Sequence, residues 1–371
     1  MAFIDQVLQQ PSYGWQDKNG NLIKPTKTRL VTELLSRINV FKTKKNWSAL
    51  VGWFWVLCLI PLVVLFFTKF FWWPYLIIGV LYGMVVMSTH GTIWYHRYAT
   101  HKAYKFKNNF WRFVTQNLVV KLIPEEIYVV SHHVHHMLSD KPGDPYNASG
   151  GFLYCFLADT NHQPIAKDMS EEDYIRTSKF LTHTGIYINT YKQYQRWGSV
   201  AHPGVTAIHW VLNWAFWYGT FYLIGGHGLA CAMFFGAMLW VLAVRTFNYQ
   251  GHGGGKDKRQ DGIDFNRRDM SINQTRPGLL GGEWHNNHHL YPNSARSGFL
   301  PYQWDNAWAY IWLLHKIGGI ESFRDSKQQF LEDYFRPNKF AVSTKEEEKK
   351  AASAMAVASN QVAEGIGQPA E

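Results

Sequence analysis

The sequence predicts an all-α membrane protein: four transmembrane helices in two hairpins, with a histidine-rich helical cap on the cytoplasmic side. Three observations predict it. From Trp47 to Tyr95 the single Lys, Arg, Asp or Glu is Lys69. From Gly204 to Val244, 41 consecutive residues carry none. The 17 histidines gather in clumps, and these lie just beyond the uncharged runs. A bilayer core takes roughly 20 apolar residues per helix, so each run holds two spans joined by a very short turn. Core helices of soluble proteins do not need uncharged runs of that length.

Residues 1–46 are polar and mixed in charge, which predicts a cytoplasmic lead-in with no cleavable signal. The membrane domain is expected over 47–342. Its first two spans fall near 48–67 and 71–93. Pro74 suits the first turn of the second helix. Trp47, Trp53, Trp72 and Trp73 suit the membrane interface. A cytoplasmic segment follows, in which NFWRFVTQNLVVKLI (109–123) reads as an amphipathic helix lying on the membrane. The other spans fall near 205–224 and 228–248, separated by Gly225, Gly226 and Gly228. AWAYIWLLHKI (307–317) is a second interfacial candidate, too short to cross. The tail 343–371 is rich in Lys, Glu and Ala, has no aromatic residue, and is expected to be disordered.

Basic residues orient the chain. Lys42, Lys44 and Lys45 precede the first span. Arg97, Lys102, Lys105 and Lys107 follow the second, and Arg245, Lys256, Lys258 and Arg259 end the fourth. The opposite turns offer Lys69 and an uncharged GGHG. The positive-inside rule puts both termini and the large loops in the cytoplasm. Most of the net charge of +10 lies beside the spans, which fits anionic lipid and a docking redox protein. No nucleic-acid motif appears. Cys58, Cys155 and Cys231 form no motif and read as small apolar residues.

Four histidine elements remain. His96 and His101 end the second span. His132, His133, His135 and His136 form one clump and His285, His288 and His289 another. His252 follows the fourth span. An α-helix turns about 100° per residue, so positions i, i+3 and i+4 share a narrow face. His132, His135 and His136 meet this condition, as do His285, His288 and His289. Each trio can converge on a metal. His133 points elsewhere. Asn248 and His252 are i and i+4. His96 and His101 lie about 140° apart on an α-helix, so they converge only if that helix unwinds or if they reach different metals. Nine histidines are too many for one ion and suit two. Imidazole accepts iron, copper, zinc or nickel, and the sequence does not choose among them. His90, His162, His183, His202, His209, His227 and His315 stand alone and read as ordinary core or surface residues.

The pattern HxxxxH, HxxHH, HxxHH around two hairpins resembles the integral-membrane fatty acid desaturases over residues 47–325. GGEWHNNHH, Ser294-Ala295-Arg296 with Gly298, Trp304-Asp305 and IWLLHKIG are similar to phrases of the stearoyl branch. Asp144-Pro-Tyr resembles the family's phrase after the second box. The resemblance implies two iron ions and O2 as co-substrate. It implies metal ligation by His96, His101, His132, His135, His136, His252, His285, His288 and His289, with Asn248 holding a metal-bound water. The implied activity is insertion of a cis double bond into a saturated fatty acyl chain, at delta-9 in that branch. A separate donor, ferredoxin or a b-type cytochrome with its reductase, would supply electrons. The phrase His202-Pro-Gly204 is similar to a haem-binding phrase, but the loop holding it is too short for a fused cytochrome.

Nine neutral ligands leave two irons strongly positive, so Glu283, Asp140 and Asp144 are candidates to orient imidazoles and offset charge. Met84, Ser88 and Val244, one to three turns before the histidines, are candidates to set tunnel length. Arg97, Lys102, Lys105, Lys107 and Arg296 are candidates for a thioester or a headgroup phosphate. Two other readings stand beside desaturation. A membrane hydroxylase would use the same metals, and a metal transporter would also carry many histidines. Transporters place their sites near the midplane in broken helices, unlike the helix-end clusters here.

Overall fold

The computed structural model describes residues 3–158, 164–252, 254, 284–301 and 303–334. Contacts divide the chain into two units, Met1–Arg324 and Asp325–Glu371. The described element of the second is a helix, Lys327–Tyr334. The expected tail 343–371 lies outside the described residues. All that follows concerns the first unit.

The labelled helices are α1 (Lys27–Ile38), α2 (Trp47–Lys69), α3 (Trp73–Thr100), α4 (Asn109–Gln116), α5 (Glu125–Leu138), α6 (Phe152–Phe156), α7 (Pro203–Gln250), α8 (His285–Leu290) and α9 (Asn306–Lys316). Strands β1 (Tyr104–Phe106) and β2 (Ile320–Phe323) pair antiparallel. Among the described residues, three helices are long and apolar enough to cross a membrane; in the case of α2 the stretch is Lys44–Lys69, and the others are α3 and α7.

Helix α7 merges the two expected spans of 205–224 and 228–248 into one 48-residue element. It is not straight. Gly225 and Gly226 leave helical geometry, and Gly226 takes φ +67, which glycine adopts without penalty. Tyr75 donates its hydroxyl to the carbonyl of Gly225 at 3.0 Å. The rings of Trp214 and Phe234 lie 5.0 Å apart. Twenty residues of straight helix would separate them by about 30 Å. The two arms of α7 therefore fold back on each other.

Small residues join α3 to the second arm. A Cβ on Gly83 would sit 2.0 Å from the carbonyl oxygen of Gly236, and one on Gly236 would sit 1.9 Å from that of Gly79. Only glycine permits this backbone contact, the packing mode favoured where lipid removes the hydrophobic drive. Helix α2 packs on the first arm through Trp55, whose ring lies 5.3 Å from Trp210 and 5.1 Å from Trp214.

The predicted helix over 109–123 stops early. Helix α4 ends at Gln116, and residues 117–124 run without regular structure among the long helices. Side chains satisfy that backbone. Asn213 accepts from the Lys121 N–H and donates to Val119, Trp214 donates to Lys121, Trp217 donates to Asn117, and Tyr95 donates to Ile123. Irregular backbone inside an apolar bundle survives only with such partners. Lys121 is buried and pairs with Glu125 at 2.9 Å. The periodicity of LVVKLI carried no sign of these distant donors.

The lead-in also has a packing role. Ile4, Val7 and Leu8 cluster with Val129, Val130 and Val134 on the back of α5. Leu8 also bridges to Ile165.

Candidate metal centre

Helix α5 ends its last turns with His132, His135 and His136, as the spacing predicts. The end of α3 behaves differently. Residues Gly91–Thr100 form a π-helix, and the His101 N–H bonds the carbonyl of His96, five residues back. A π turn holds more residues than an α turn, so i and i+5 stack. The His96 and His101 rings come to 5.0 Å. The widened turn removes the 140° separation of an α-helix.

Helix α8 carries His285, His288 and His289, and His252 follows α7. All nine histidines singled out by the sequence come together, in two groups. His96, His101, His132, His136 and His288 form one; His135, His252, His285 and His289 form the other. Within each, one ring nitrogen per residue lies within 4.8 Å of the others. The groups adjoin: the rings of His136 and His289 stack at 4.8 Å.

Each trio divides. The i,i+4 pairs stay together, His132 with His136 and His285 with His289. The i+3 member crosses over: His135 joins the α8 pair and His288 joins the α5 pair. Spacing along a helix lets each trio converge on one centre; in the structure each trio contributes to both groups. Facing helices interleave, so each group takes ligands from both.

The donor set fits metal ions. Nε2 atoms approach in a chain: His136 to His132 at 3.2 Å, His288 to His136 at 3.0 Å, His289 to His285 at 3.0 Å and His285 to His252 at 3.2 Å. Two nitrogens about 2.1 Å from one ion at right angles would lie about 3.0 Å apart. The buried Nε2 atoms of His101 and His135 have no hydrogen-bond partner. Burial holds His101, His132, His136, His288 and His289 well below the ordinary imidazole value, and neighbouring imidazoles add to it. Such rings are neutral near pH 7, the form that binds metal.

Two of the three candidate acids sit against this set. Asp144 is fully buried, and its Oδ1 lies 2.9 Å from Nδ1 of His135. It also accepts from the N–H groups of Asp140 and Tyr146, both at 2.8 Å. This fixes the ring with Nε2 facing the group. Asp140 lies 3.8 Å from Nδ1 of His252. Glu283 lies outside the described residues.

An apolar cavity reaches the histidines. Gly91, Trp240, Leu122, Ile123 and Ile127 line it, together with His96, His132, His135, His252, His285 and Asn248. Ser88 and Val244 of the tunnel candidates are on its wall, and Met84 is not.

Arg97 is corrected as a headgroup candidate. It is buried, its Nη1 donates to the Ala295 carbonyl at 2.6 Å, and its Nη2 meets both Asp305 oxygens at 2.8 and 2.9 Å. Burial pushes the Asp305 carboxyl up, but Arg97 and the N–H groups of Ser297 and Trp308 outweigh it and hold the value below normal. Asn287, between the α8 histidines, donates to the Ser297 carbonyl at 2.7 Å and to Gln303 at 3.0 Å. Together these contacts pin the third histidine segment onto α3. The phrases around Ser294-Ala295-Arg296 and Trp304-Asp305 were the only sequence signal for this clamp. Lys105 pairs with Glu321 and Arg296 covers Trp308.

The isolated histidines have ordinary roles. His90 bonds the Thr115 carbonyl, His183 that of Tyr98, and His315 that of Ile320. His202 caps α7, accepting from Val205, which accounts for His202-Pro-Gly204 without haem. His133 stacks on Phe180 at 4.2 Å and belongs to neither group. His162 lies outside the described residues.

The fatty acid desaturase family model matches residues 70–312. An acyl-CoA C20 Delta5-desaturase of Anemone leveillei is 27% identical over 268 residues, covering 68% of this chain and 74% of that one. A Delta-9 desaturase-like 3 protein of Arabidopsis thaliana is 27% identical over 252 residues, 64% and 73% of the two chains. A hex-5-enoyl-[acyl-carrier protein] acetylenase of Moorena producens (strain JHB) is 26% identical over 259 residues, 65% and 74% of the two.

Proposed function

The chain belongs to the fatty acid desaturase family of oxidoreductases, and we propose that it inserts a cis double bond, delta-9, into a saturated acyl chain. The observation that carries this reading is the meeting of an apolar cavity with nine interleaved histidines from four segments. Each histidine group has the number and neutrality of ligands that one iron ion takes. Iron held there would supply the oxygen chemistry that removes two hydrogens from adjacent methylenes. The net reaction consumes the saturated chain, O2, two electrons and two protons, and yields the alkene and two waters.

The residues have separable tasks. Helices α3, α5 and α8 and the end of α7 hold the ligands. Asp144 orients His135, and Asp140 does the same for His252 more weakly. Asn248 borders the same cavity and is suited to hold a water beside the histidines. Leu122, Ile123, Ile127 and Trp240 exclude water and bury the acyl chain. The fold-back of α7 supports four membrane crossings, and the basic residues support a cytoplasmic site. Electrons would come from a separate ferredoxin or b-type cytochrome. Relatives named for acyl-CoA and for acyl-carrier protein make a thioester the first substrate to try.

Expression in a host lacking its own desaturase, with double-bond mapping by gas chromatography and mass spectrometry, tests the reading. A cis-9 alkene is expected. Hydroxy acids without alkene would favour the hydroxylase. A delta-5 product would keep the desaturase and overturn the position. Purified protein should carry two irons per chain.

A further inference from the structure

The net reaction draws two protons into a buried site. No Asp or Glu is among the described residues that line the histidine cavity, so its wall offers no carboxyl to supply them. A second cavity lies directly behind it. The backbone from Lys121 to Tyr128 is the partition: Leu122, Ile123, Pro124, Ile127 and Tyr128 face the histidine cavity, and Lys121, Glu125 and Glu126 face the other. Thr206 and His209 of α7 and the loop residue Tyr187 are among the rest of the second lining. About 20 Å³ of this cavity is open to the centre of a water molecule, which is room for one. Tyr187 and His209 are exposed, whereas Glu125 and Glu126 are 4% and 2% exposed, so the cavity leads from the surface to two buried carboxyls.

Those carboxyls differ. Lys121 and Gln116 both donate to Oε1 of Glu125, at 2.9 and 3.1 Å. Burial pushes the Glu125 carboxyl up, but Lys121 with Gln116 outweighs it and holds the value below normal. Glu126 has no side-chain donor among the described residues, and burial lifts it to about 7. One carboxyl is anionic while its neighbour holds a proton, the split that separates base from acid in a carboxyl pair. Lys121 offsets the charge of Glu125, so the cavity is neutral and suits water better than an ion. His132 lies two turns beyond Glu125 along α5, within about 20° of the same face. Across the partition Tyr128 stacks on His132 at 5.3 Å.

We propose that this second cavity is the proton inlet of the histidine site, with Glu126 as the group that holds the proton and a water linking it to Glu125 and to solvent. This rests on the desaturase reading and adds the source of its protons. In each transfer one O–H bond breaks at Glu126 and one forms in product water, and solvent returns a proton to Glu126 through the cavity. Two such transfers, with two electrons from the donor protein and two hydrogens from the acyl chain, convert O2 to two waters. The titratable groups around Glu126 are Glu125, Lys121, Tyr187 and His209, with Tyr95 of α3 beyond the partition.

The purified iron-loaded full-length protein would be titrated by infrared spectroscopy in H2O and D2O. The wild type should show a protonated-carboxyl band that shifts in D2O and fades as pH rises through about 7, and Glu126→Gln should lack it. Turnover would use ferredoxin, its reductase and NADPH, with octadecanoyl-CoA or phosphatidylcholine vesicles as substrate. Glu126→Gln should keep its iron and KM and lose about 100-fold in kcat, the lower end of what a positioned proton donor contributes. Wild-type kcat should fall as pH rises through about 7, because the protonated form is the active one, and the variant should lose that dependence. Glu126→Asp should restore part of both. Should Glu126→Gln lose its iron, Thr206→Leu carries the test: it fills the cavity, leaves both carboxyls in place, and should slow both deuterium exchange at the band and kcat.

An iron-loaded Glu126→Gln with wild-type kcat and pH profile would overturn the proposal. So would a Glu126 band that does not exchange, or a Thr206→Leu with unchanged exchange and kcat. Formation of no alkene by the wild type from either substrate would instead sink the desaturase reading itself, and the infrared exchange would still report on the cavity alone.

Discussion

Helix α5 presents His132, His135 and His136 on one face through ordinary α-helical spacing, whereas α3 unites His96 and His101 by widening its last turns into a π-helix. The sequence states the first arrangement and conceals the second. The α-period is the backbone's default, so three imidazoles at i, i+3 and i+4 declare a face. A π turn has poorer hydrogen-bond geometry and persists only where packing imposes it. Here the imposing contacts are visible. Arg97, inside the widened segment, is clamped to Asp305 and Ala295, and Tyr104 donates its hydroxyl to the Ile93 carbonyl.

A pair of deletions breaks this comparison most sharply. Removing Val134 from α5 turns His132 by about 100° relative to His135 and His136. Iron and activity should fall by more than about 100-fold, beyond what loss of a supporting carboxylate does. Removing Ala99 converts His96 and His101 to i,i+4, which a plain α turn also aligns. That variant should keep clearly more iron by mass spectrometry, and equal losses in the two would show that the π turn has no such slack.

The clamp comes next. Arg97→Leu leaves the Asp305 carboxylate buried without its partner, which costs about 3–5 kcal/mol. Thermal unfolding in detergent should drop accordingly, and adding Asp305→Asn should recover part of it. A lone Arg97→Leu as stable as the wild type would remove the clamp from the account.

Glu126, at the start of α5, gives a pH signature. Burial, with help from Glu125, lifts its carboxyl from 4.5 to about 7. The folded state therefore holds a proton that the unfolded chain has released. The contribution of Glu126 to stability is greatest below about pH 4.5, falls as pH rises through 7, and then levels off. Glu126→Gln should remove this slope. It should gain about 3 kcal/mol above pH 7 and nothing near pH 4.5. Parallel stability profiles for both proteins would refute the assignment.

The smallest effect sharpens α5 itself. Asp144→Asn keeps the volume and loses the charge that orients His135. A 10- to 100-fold loss of iron affinity or activity is expected, with the fold intact. Wild-type iron binding in that variant would mean that His135 is held by packing alone.

Much of this architecture was legible beforehand. The 41-residue uncharged run with glycines near its middle implied a turn between two helical arms, and Trp214 against Phe234 reports that fold-back. The irregular stretch 117–124 was not legible. Its stability depends on Asn213, Trp214 and Trp217, about a hundred positions away, and its own apolar pattern mimics a helix.

The sequence by itself determined which residues gather: nine histidines whose α-spacing and place beyond the spans mark them as one set. Only the tertiary structure decided how they divide. His135 and His288 leave the trios they share a face with and cross to the opposing pair, because α5 and α8 face each other and interleave. Spacing along one helix fixes directions around that helix alone. Which imidazoles meet is set by the second helix, and its position depends on contacts such as Arg97 with Asp305 that join residues some two hundred positions apart.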